Sequence, residues 1–196
     1  MQAASRGRPS AGVGRGMSDT DFEFVRSIVL ERSGISLDSS RKYLAESRLA
    51  PLARKNGMTD VASLIRAARK EPHRGHVEDI VEAMTTNETS FFRDIHPFEA
   101  LRTDILPELI KKHGNRLGIW CGACSTGQEP YSISMLLHEN FPDLVVGGTQ
   151  IFATDLSKEV LERAKAGKYT QLEVNRGLAA TMLVRYFRRR GREWMI

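Results

Sequence analysis

The stretch Trp120-Cys121-Gly122-Ala123-Cys124-Ser125-Thr126-Gly127-Gln128-Glu129-Pro130-Tyr131 limits what this chain can become more than any other. Leu117-Gly118-Ile119 before it is short and apolar, as a buried strand would be. After it, Ile133, Leu136 and Leu137 recur at helical spacing, and Pro130 suits a first helical turn. A strand, a turn of small residues and a helix form the usual ligand-binding corner of an α/β domain. Gly122 and Gly127 let the backbone approach a ligand closely, and the helix start presents unpaired N–H groups. Glu129 at that mouth disfavours phosphate and suits a cationic ligand carrying hydroxyls or an amino group.

Two sharp readings compete for this loop. One is a cofactor cradle of the methyltransferase kind. The other is a thioredoxin-like dithiol site, because Trp-Cys-Gly-Ala-Cys has that spacing at Cys121 and Cys124. In a dithiol site the helix starts at the first cysteine and lowers its pKa. Gly127 and Pro130 instead extend the turn past both thiols, since proline inside a helix costs about 3 kcal/mol. The five histidines show no ligand spacing with the two cysteines, so no metal site is expected.

No apolar run approaches the ~20 residues of a membrane span, and two cysteines without a signal-peptide core predict a reducing cytoplasm. The net charge of +5 is unevenly placed, with Arg6, Arg8 and Arg15 near the start and Arg185, Arg188, Arg189, Arg190 and Arg192 near the end. Such clusters suit an acidic partner. Aromatic residues do not interleave with them as single-strand binding requires, so nucleic acid is not expected.

Residues 1–16 are rich in Gly, Ser and Arg and read as a disordered basic tail. Residues 17–84 read as an all-helical domain. Ser18 with Asp21 opens a helix that Gly34 stops; Asp38–Lys55 makes a second with Ala45, Leu49 and Leu52 on one stripe and a kink or early break at Pro51. Thr59 or Asp60 starts a third helix, and Val77, Ile80, Val81 and Met84 mark a fourth. Residues 85–95 fit no period and read as a linker or a ligand lid. From residue 96 onward, Pro97 opens a helix interrupted at Pro107; Ile151-Phe152-Ala153-Thr154 is a second buried strand; Ser157 caps a helix closed by Gly167. The order calls for a parallel sheet. Asp155, closing the second strand, stands where nucleoside-binding folds place an acid for ribose hydroxyls, or it serves as a helix cap.

Three ordered blocks carry a resemblance: Thr85-Thr86-Asn87-Glu88-Thr89-Ser90-Phe91-Phe92-Arg93-Asp94; Cys124-Ser125-Thr126-Gly127-Gln128-Glu129-Pro130-Tyr131-Ser132; and Phe152-Ala153-Thr154-Asp155-Leu156-Ser157 with Val160 to Lys165 and Gly167-Lys168-Tyr169. Together they resemble the chemotaxis receptor glutamate O-methyltransferases of the CheR type. The resemblance implies an all-helical N-terminal domain followed by a partial Rossmann-like α/β domain using S-adenosylmethionine. It implies methyl-ester formation on glutamates of the cytoplasmic helices of chemoreceptors. Carried over by motif, Asn87, Thr89 and Arg93 line the methionine end, Gly122, Gly127 and Glu129 come from the loop, and Asp155 holds the ribose. Arg93 is the residue assigned to the chemistry, binding the cofactor's carboxylate or steering the substrate's. Arg41, Arg48 and Arg54 would face the acidic receptor bundle.

Family members continue beyond the point matching Ile196, with further strands against the adenine. The expectation is therefore a C-terminally incomplete domain, 96–196, whose sheet is completed by a partner or by self-association. A non-catalytic fragment that binds cofactor or receptor is the alternative. The short segment after Phe187 leans toward receptor recognition that needs no tethering peptide.

Overall fold

A computed structural model describes residues 16–73 and 75–196. The basic tail expected over 1–16 lies, Gly16 apart, outside the described residues. The chain divides into two compact units, one ending at Thr85 and one running from Thr86 to Ile196.

The first unit is all helical: α1 (Asp19–Ser33), α2 (Lys42–Lys55), α3 (Val61–Lys70) and α4 (His76–Met84). Caps written in the sequence set its boundaries. Ser18 accepts the Asp21 N–H, Gly34 ends α1 in the left-handed conformation, and Asp60 accepts the Ser63 N–H. Asp38 caps a single 3-10 turn, Ser39–Arg41, that leads into α2. The core is built from one face of each helix, with Val25, Val29, Leu49, Leu64, Ile65 and Ile80 fully buried.

The expected break at Pro51 does not occur, because α2 continues to Lys55. Pro51 is exposed, while Leu49 and Ala53 on either side of it are buried at 0% and 1% exposure. Burial of two neighbours outweighs the roughly 3 kcal/mol that an internal proline costs. The buried stripe is Ala45, Leu49 and Ala53, with Leu52 only half-buried.

In the second unit, α5 (Ile95–Ala100) starts at Asp94, which accepts the His96 N–H, so Pro97 falls in the first turn. A π-helical turn, Leu101–Ile105, then leads into α6 (Leu106–His113). The interruption expected at Pro107 takes this form: a wider turn accommodates a residue that has no N–H to give. The extra residue moves the apolar face, burying Leu106 to 1% and leaving Ile105 at 44% exposure.

Next come β1 (Gly118–Gly122), α7 (Gln128–Asn140), α8 (Pro142–Val146), β2 (Gln150–Thr154) and α9 (Lys158–Ala166). The strands β1 and β2 are parallel, with Trp120 beside Phe152 and Cys121 beside Ala153. Both strands were expected to be buried, and in both the exposure differs. Trp120 is 74% and Phe152 58% exposed, while Cys121 on the opposite face packs with Phe98, Leu106 and α7. Strand side chains alternate between faces, and among the described residues only one face of this sheet carries a cover.

A second, antiparallel sheet follows, in the order β3 (Lys168–Thr170), β5 (Glu193–Met195), β4 (Arg188–Arg190). The short helices α10 (Gln171–Asn175) and α11 (Ala180–Tyr186) fall between β3 and β4 in the chain. Its core is aromatic. Phe91 meets the ring edges of Tyr169 at 5.0 Å and Phe187 at 5.5 Å, which ties the 86–94 segment into this unit.

Candidate cofactor site

The loop between β1 and α7 is shaped by backbone conformations that side chains resist. Ala123 and Ser125 have φ of +55° and +52°, and Gly127 has +93°. At Gly127 a Cβ would stand 2.9 Å from the Ala164 Cβ and 3.1 Å from the Tyr169 hydroxyl, so only glycine fits. Tyr169 donates its hydroxyl to the Thr126 carbonyl at 2.8 Å, bracing the loop from the antiparallel sheet. The other non-glycine residues at positive φ among those described are Phe92 and Asp94, at +46° and +58°. Backbone strain thus concentrates in the two segments singled out by sequence, as functional sites often show.

Asp155 leaves the end of β2 and accepts two backbone N–H groups, from Ser125 at 2.8 Å and from Ser157 at 3.0 Å. Ser157, not Asp155, caps α9, so the helix-cap alternative for Asp155 falls away. Ser125 also donates its hydroxyl to the Asn87 carbonyl at 2.9 Å. Glu129 stands exposed in the first turn of α7, and its charge, after burial, helps hold the Cys121 thiol protonated. The Cys124 thiol is raised by burial first and then by the charges of Asp155 and Glu129. The loop, the β2 end and the Asn87 segment therefore meet in one place.

Arg93 extends along its own segment. It donates to the Glu88 carbonyl at 2.6 Å and lies 3.7 Å from the Glu88 carboxylate, whose other oxygen is 3.3 Å from Arg176. Gly177 packs against the Phe91 carbonyl, where a Cβ would overlap the oxygen. Glu88, Ser125 and Tyr169 stand in the three blocks that carry the resemblance but were given no role from sequence, and the Arg176-Gly177 pair was not singled out at all. Nothing short of the fold signals that 176–177 returns to the 88–91 segment.

The cysteines are not a dithiol site. Cys121 lies in β1 and Cys124 in the loop, both are buried and unpaired, and the helix begins only at Gln128. Burial, with Glu129 beside it, pushes the Cys121 thiol up to about 11, opposite to the lowering that a nucleophilic thiol requires. No group of metal-ligating side chains occurs among the described residues. No helix among them is long and apolar enough to cross a membrane.

These residues suit an uncharged-to-cationic nucleoside better than a phosphate. Asp155 is pinned at both oxygens yet keeps lone pairs for hydroxyls, and Glu129 offers a carboxylate at the helix mouth. The exposed Asn87, Gly122 and Glu129 leave that place open to solvent.

Residues 87–196 match the family described as CheR methyltransferase, SAM binding domain, and residues 20–85 match CheR methyltransferase, all-alpha domain. The chain belongs to the CheR methyltransferase family. S-adenosylmethionine is the cofactor this membership implies. The chain is 46% identical over 180 residues to chemotaxis protein methyltransferase 1 of Pseudomonas aeruginosa, covering 89% of this chain and 65% of that protein. It is 43% identical over 176 residues to chemotaxis protein methyltransferase Cher2 of Pseudomonas putida, covering 87% and 64%. The Escherichia coli chemotaxis protein methyltransferase is 32% identical over 173 residues, covering 88% and 58%. The chain thus spans somewhat under two thirds of the length of these relatives. The two matches describe an all-alpha unit followed by a SAM-binding unit, and the parallel β1–β2 pair with its helices is consistent with a partial Rossmann-like fold.

In the helical unit, Arg41 and Arg54 are exposed, at the start and end of α2. Arg48 is half-buried and donates to the Met84 and Thr85 carbonyls at 2.8 and 2.9 Å, closing the end of α4. Structural work therefore already engages the middle member of the expected docking trio.

Proposed function

We propose that this chain carries the methyl-transfer site of a cytoplasmic protein-glutamate O-methyltransferase acting on the cytoplasmic helices of chemoreceptors in chemotaxis adaptation. What supports this reading is the family membership together with one observation: Ser125 bonds Asp155 and Asn87 at once, gathering three separate sequence blocks. When bound, S-adenosylmethionine supplies a methyl group on a positively charged sulfur, which a glutamate oxygen takes as the S–CH3 bonding pair returns to sulfur.

Under this reading Asp155 holds the ribose, Glu129 meets the cationic face of the ligand, and Gly122 and Gly127 admit it to the backbone. Asn87, Thr89 and Arg93 address the amino-acid end. No general base is needed, because a glutamate titrates near pH 4.3 and is ionised at neutrality. Charge vanishes on the way to the transition state, so the protein's part is to align oxygen, methyl and sulfur, an effect worth about 7–11 kcal/mol when fully realised. Arg93 orients a carboxylate without gripping the reacting oxygen, since a tight ion pair would stabilise the ground state. Arg41 and Arg54, with Arg48 behind them, supply positive charge for an acidic receptor bundle.

The test is calorimetric titration of the chain with S-adenosylhomocysteine. Asp155→Ala and Arg93→Ala each remove a charged hydrogen-bonding group and lower affinity by about 1.5–3 kcal/mol. Unchanged binding in both variants overturns the site. Transfer of labelled methyl from S-adenosylmethionine to a receptor helical fragment, released as methanol by alkali, tests the substrate; no alkali-labile label overturns the glutamate assignment.

A further inference from the structure

Ser125 is 4% exposed, is held at φ +52°, and carries no place among the residues expected to touch the cofactor. A left-handed conformation is strained for a serine. What the surroundings obtain is two bonds in different directions. The Ser125 N–H reaches Asp155 Oδ2 at 2.8 Å, and its Oγ reaches the carbonyl of Asn87 at 2.9 Å. Asp155 Oδ1 is already fixed by the Ser157 N–H at 3.0 Å. Asn87 is otherwise an exposed residue of a segment without helix or strand, followed directly by the half-exposed Glu88–Arg93 and Glu88–Arg176 pairs, which hold little at 56–57% side-chain exposure. Further along the segment, Phe91 is buried and the Phe92 N–H donates to Ser132 Oγ at 3.0 Å, so at Asn87 itself the buried hydroxyl of Ser125 is a firmer tether than the exposed ion pairs.

We propose that Ser125 is a positioning residue that couples the two ends of the cofactor site, its N–H setting the ribose acid Asp155 and its hydroxyl holding the Asn87 segment against the amino-acid end. The inference rests on the cofactor reading above and adds a residue to it. Because the hydroxyl acts only on the Asn87 side, its loss is felt only by ligands that reach that side.

Two probes separate the ends: S-adenosylhomocysteine, which has the amino-acid arm, and 5′-methylthioadenosine, which shares the nucleoside and sulfur but lacks the arm. Ser125→Ala keeps the N–H and removes the hydroxyl. By calorimetry it lowers S-adenosylhomocysteine affinity about 3- to 10-fold, the range of one neutral hydrogen bond, and leaves methylthioadenosine affinity within about twofold. Ser125→Gly, which relieves the strained φ and so guards against a folding defect, gives the same selective loss. Asp155→Ala weakens both ligands. Equal loss of both ligands in Ser125→Ala and Ser125→Gly makes Ser125 a general support of the fold and overturns the proposal, as does unchanged affinity for both ligands in both variants. A wild-type chain that binds neither ligand overturns the cofactor reading itself, which is a different result.

Discussion

Gly127→Ala tests the loop most directly, and its effect can be worked from three contacts. At φ +93° a non-glycine residue is strained by about 1–2 kcal/mol. The new methyl would stand 2.9 Å from the Ala164 Cβ and 3.1 Å from the Ala164 Cα, neither of which can rotate away. It would also press on the Tyr169 hydroxyl, whose bond to the Thr126 carbonyl is buried; leaving that carbonyl unsatisfied costs about 1–3 kcal/mol. Reduced freedom of the unfolded chain offsets about 0.4–1 kcal/mol. The net loss is about 2–4 kcal/mol. Gly191→Ala is the control. Its φ is +61° but a Cβ there meets nothing within 4 Å, so it carries the strain alone and loses about 1 kcal/mol or less. Both tryptophans, Trp120 and Trp194, lie in the second unit, so denaturant unfolding followed by tryptophan fluorescence reads that unit alone. Gly127→Ala should unfold at clearly lower denaturant than Gly191→Ala and bind S-adenosylhomocysteine more weakly. Equal midpoints for the two variants would refute the packing argument, because strain would then be the whole effect.

The second unit should also lose stability in alkali. Burial raises the Cys121 thiol from 9.0 to about 11 and raises the Tyr131 and Tyr169 phenols, so the unfolded chain gives up these protons first. Stability is then fully present below pH 9 and falls as pH rises toward 11; a fluorescence midpoint constant across that window would contradict it. In the helical unit, Arg48→Ala should cost about 1–3 kcal/mol by leaving the Met84 and Thr85 carbonyls without their donor, read by far-UV circular dichroism. Arg41→Glu should leave that unfolding within about 0.5 kcal/mol yet weaken receptor methylation; the reverse pattern would exchange their roles.

Sequence was most informative where one residue settles a local question. Ser18, Asp60 and Ser157 start helices because their side chains accept a specific N–H, and Gly34 and Gly167 end them because left-handed backbone suits glycine. Pattern reading failed where tertiary packing arbitrates. Pro51 breaks a helix only if nothing holds its neighbours, and here Leu49 and Ala53 are core residues. Pro107 signalled an irregularity but not its kind, and the π turn moved the buried position from Ile105 to Leu106. Apolar runs around Trp120 and Phe152 predicted burial because composition says which residues prefer cover, not whether the described chain supplies it.

The site divides along the same line. Asp155 and Gly127 could be picked out as candidates because chemistry and conformational freedom mark them, whereas Gly122 sits in β1 without positive φ and with room for a Cβ. Ser125 was not, because its part depends on a left-handed φ that no serine announces and on two partners 30 and 38 residues away. Arg176 and Gly177 were hidden for a similar reason, reaching Glu88 and Phe91 only once β3, α10 and the aromatic cluster of Phe91, Tyr169 and Phe187 are folded. The same cluster links the Asn87–Arg93 segment to Tyr169, and Tyr169 braces the loop through Thr126. Packing in the antiparallel sheet and geometry in the cofactor loop are therefore one mechanical system, and Phe91→Ala, outside the loop, should weaken S-adenosylhomocysteine binding by calorimetry; unchanged affinity would uncouple the two.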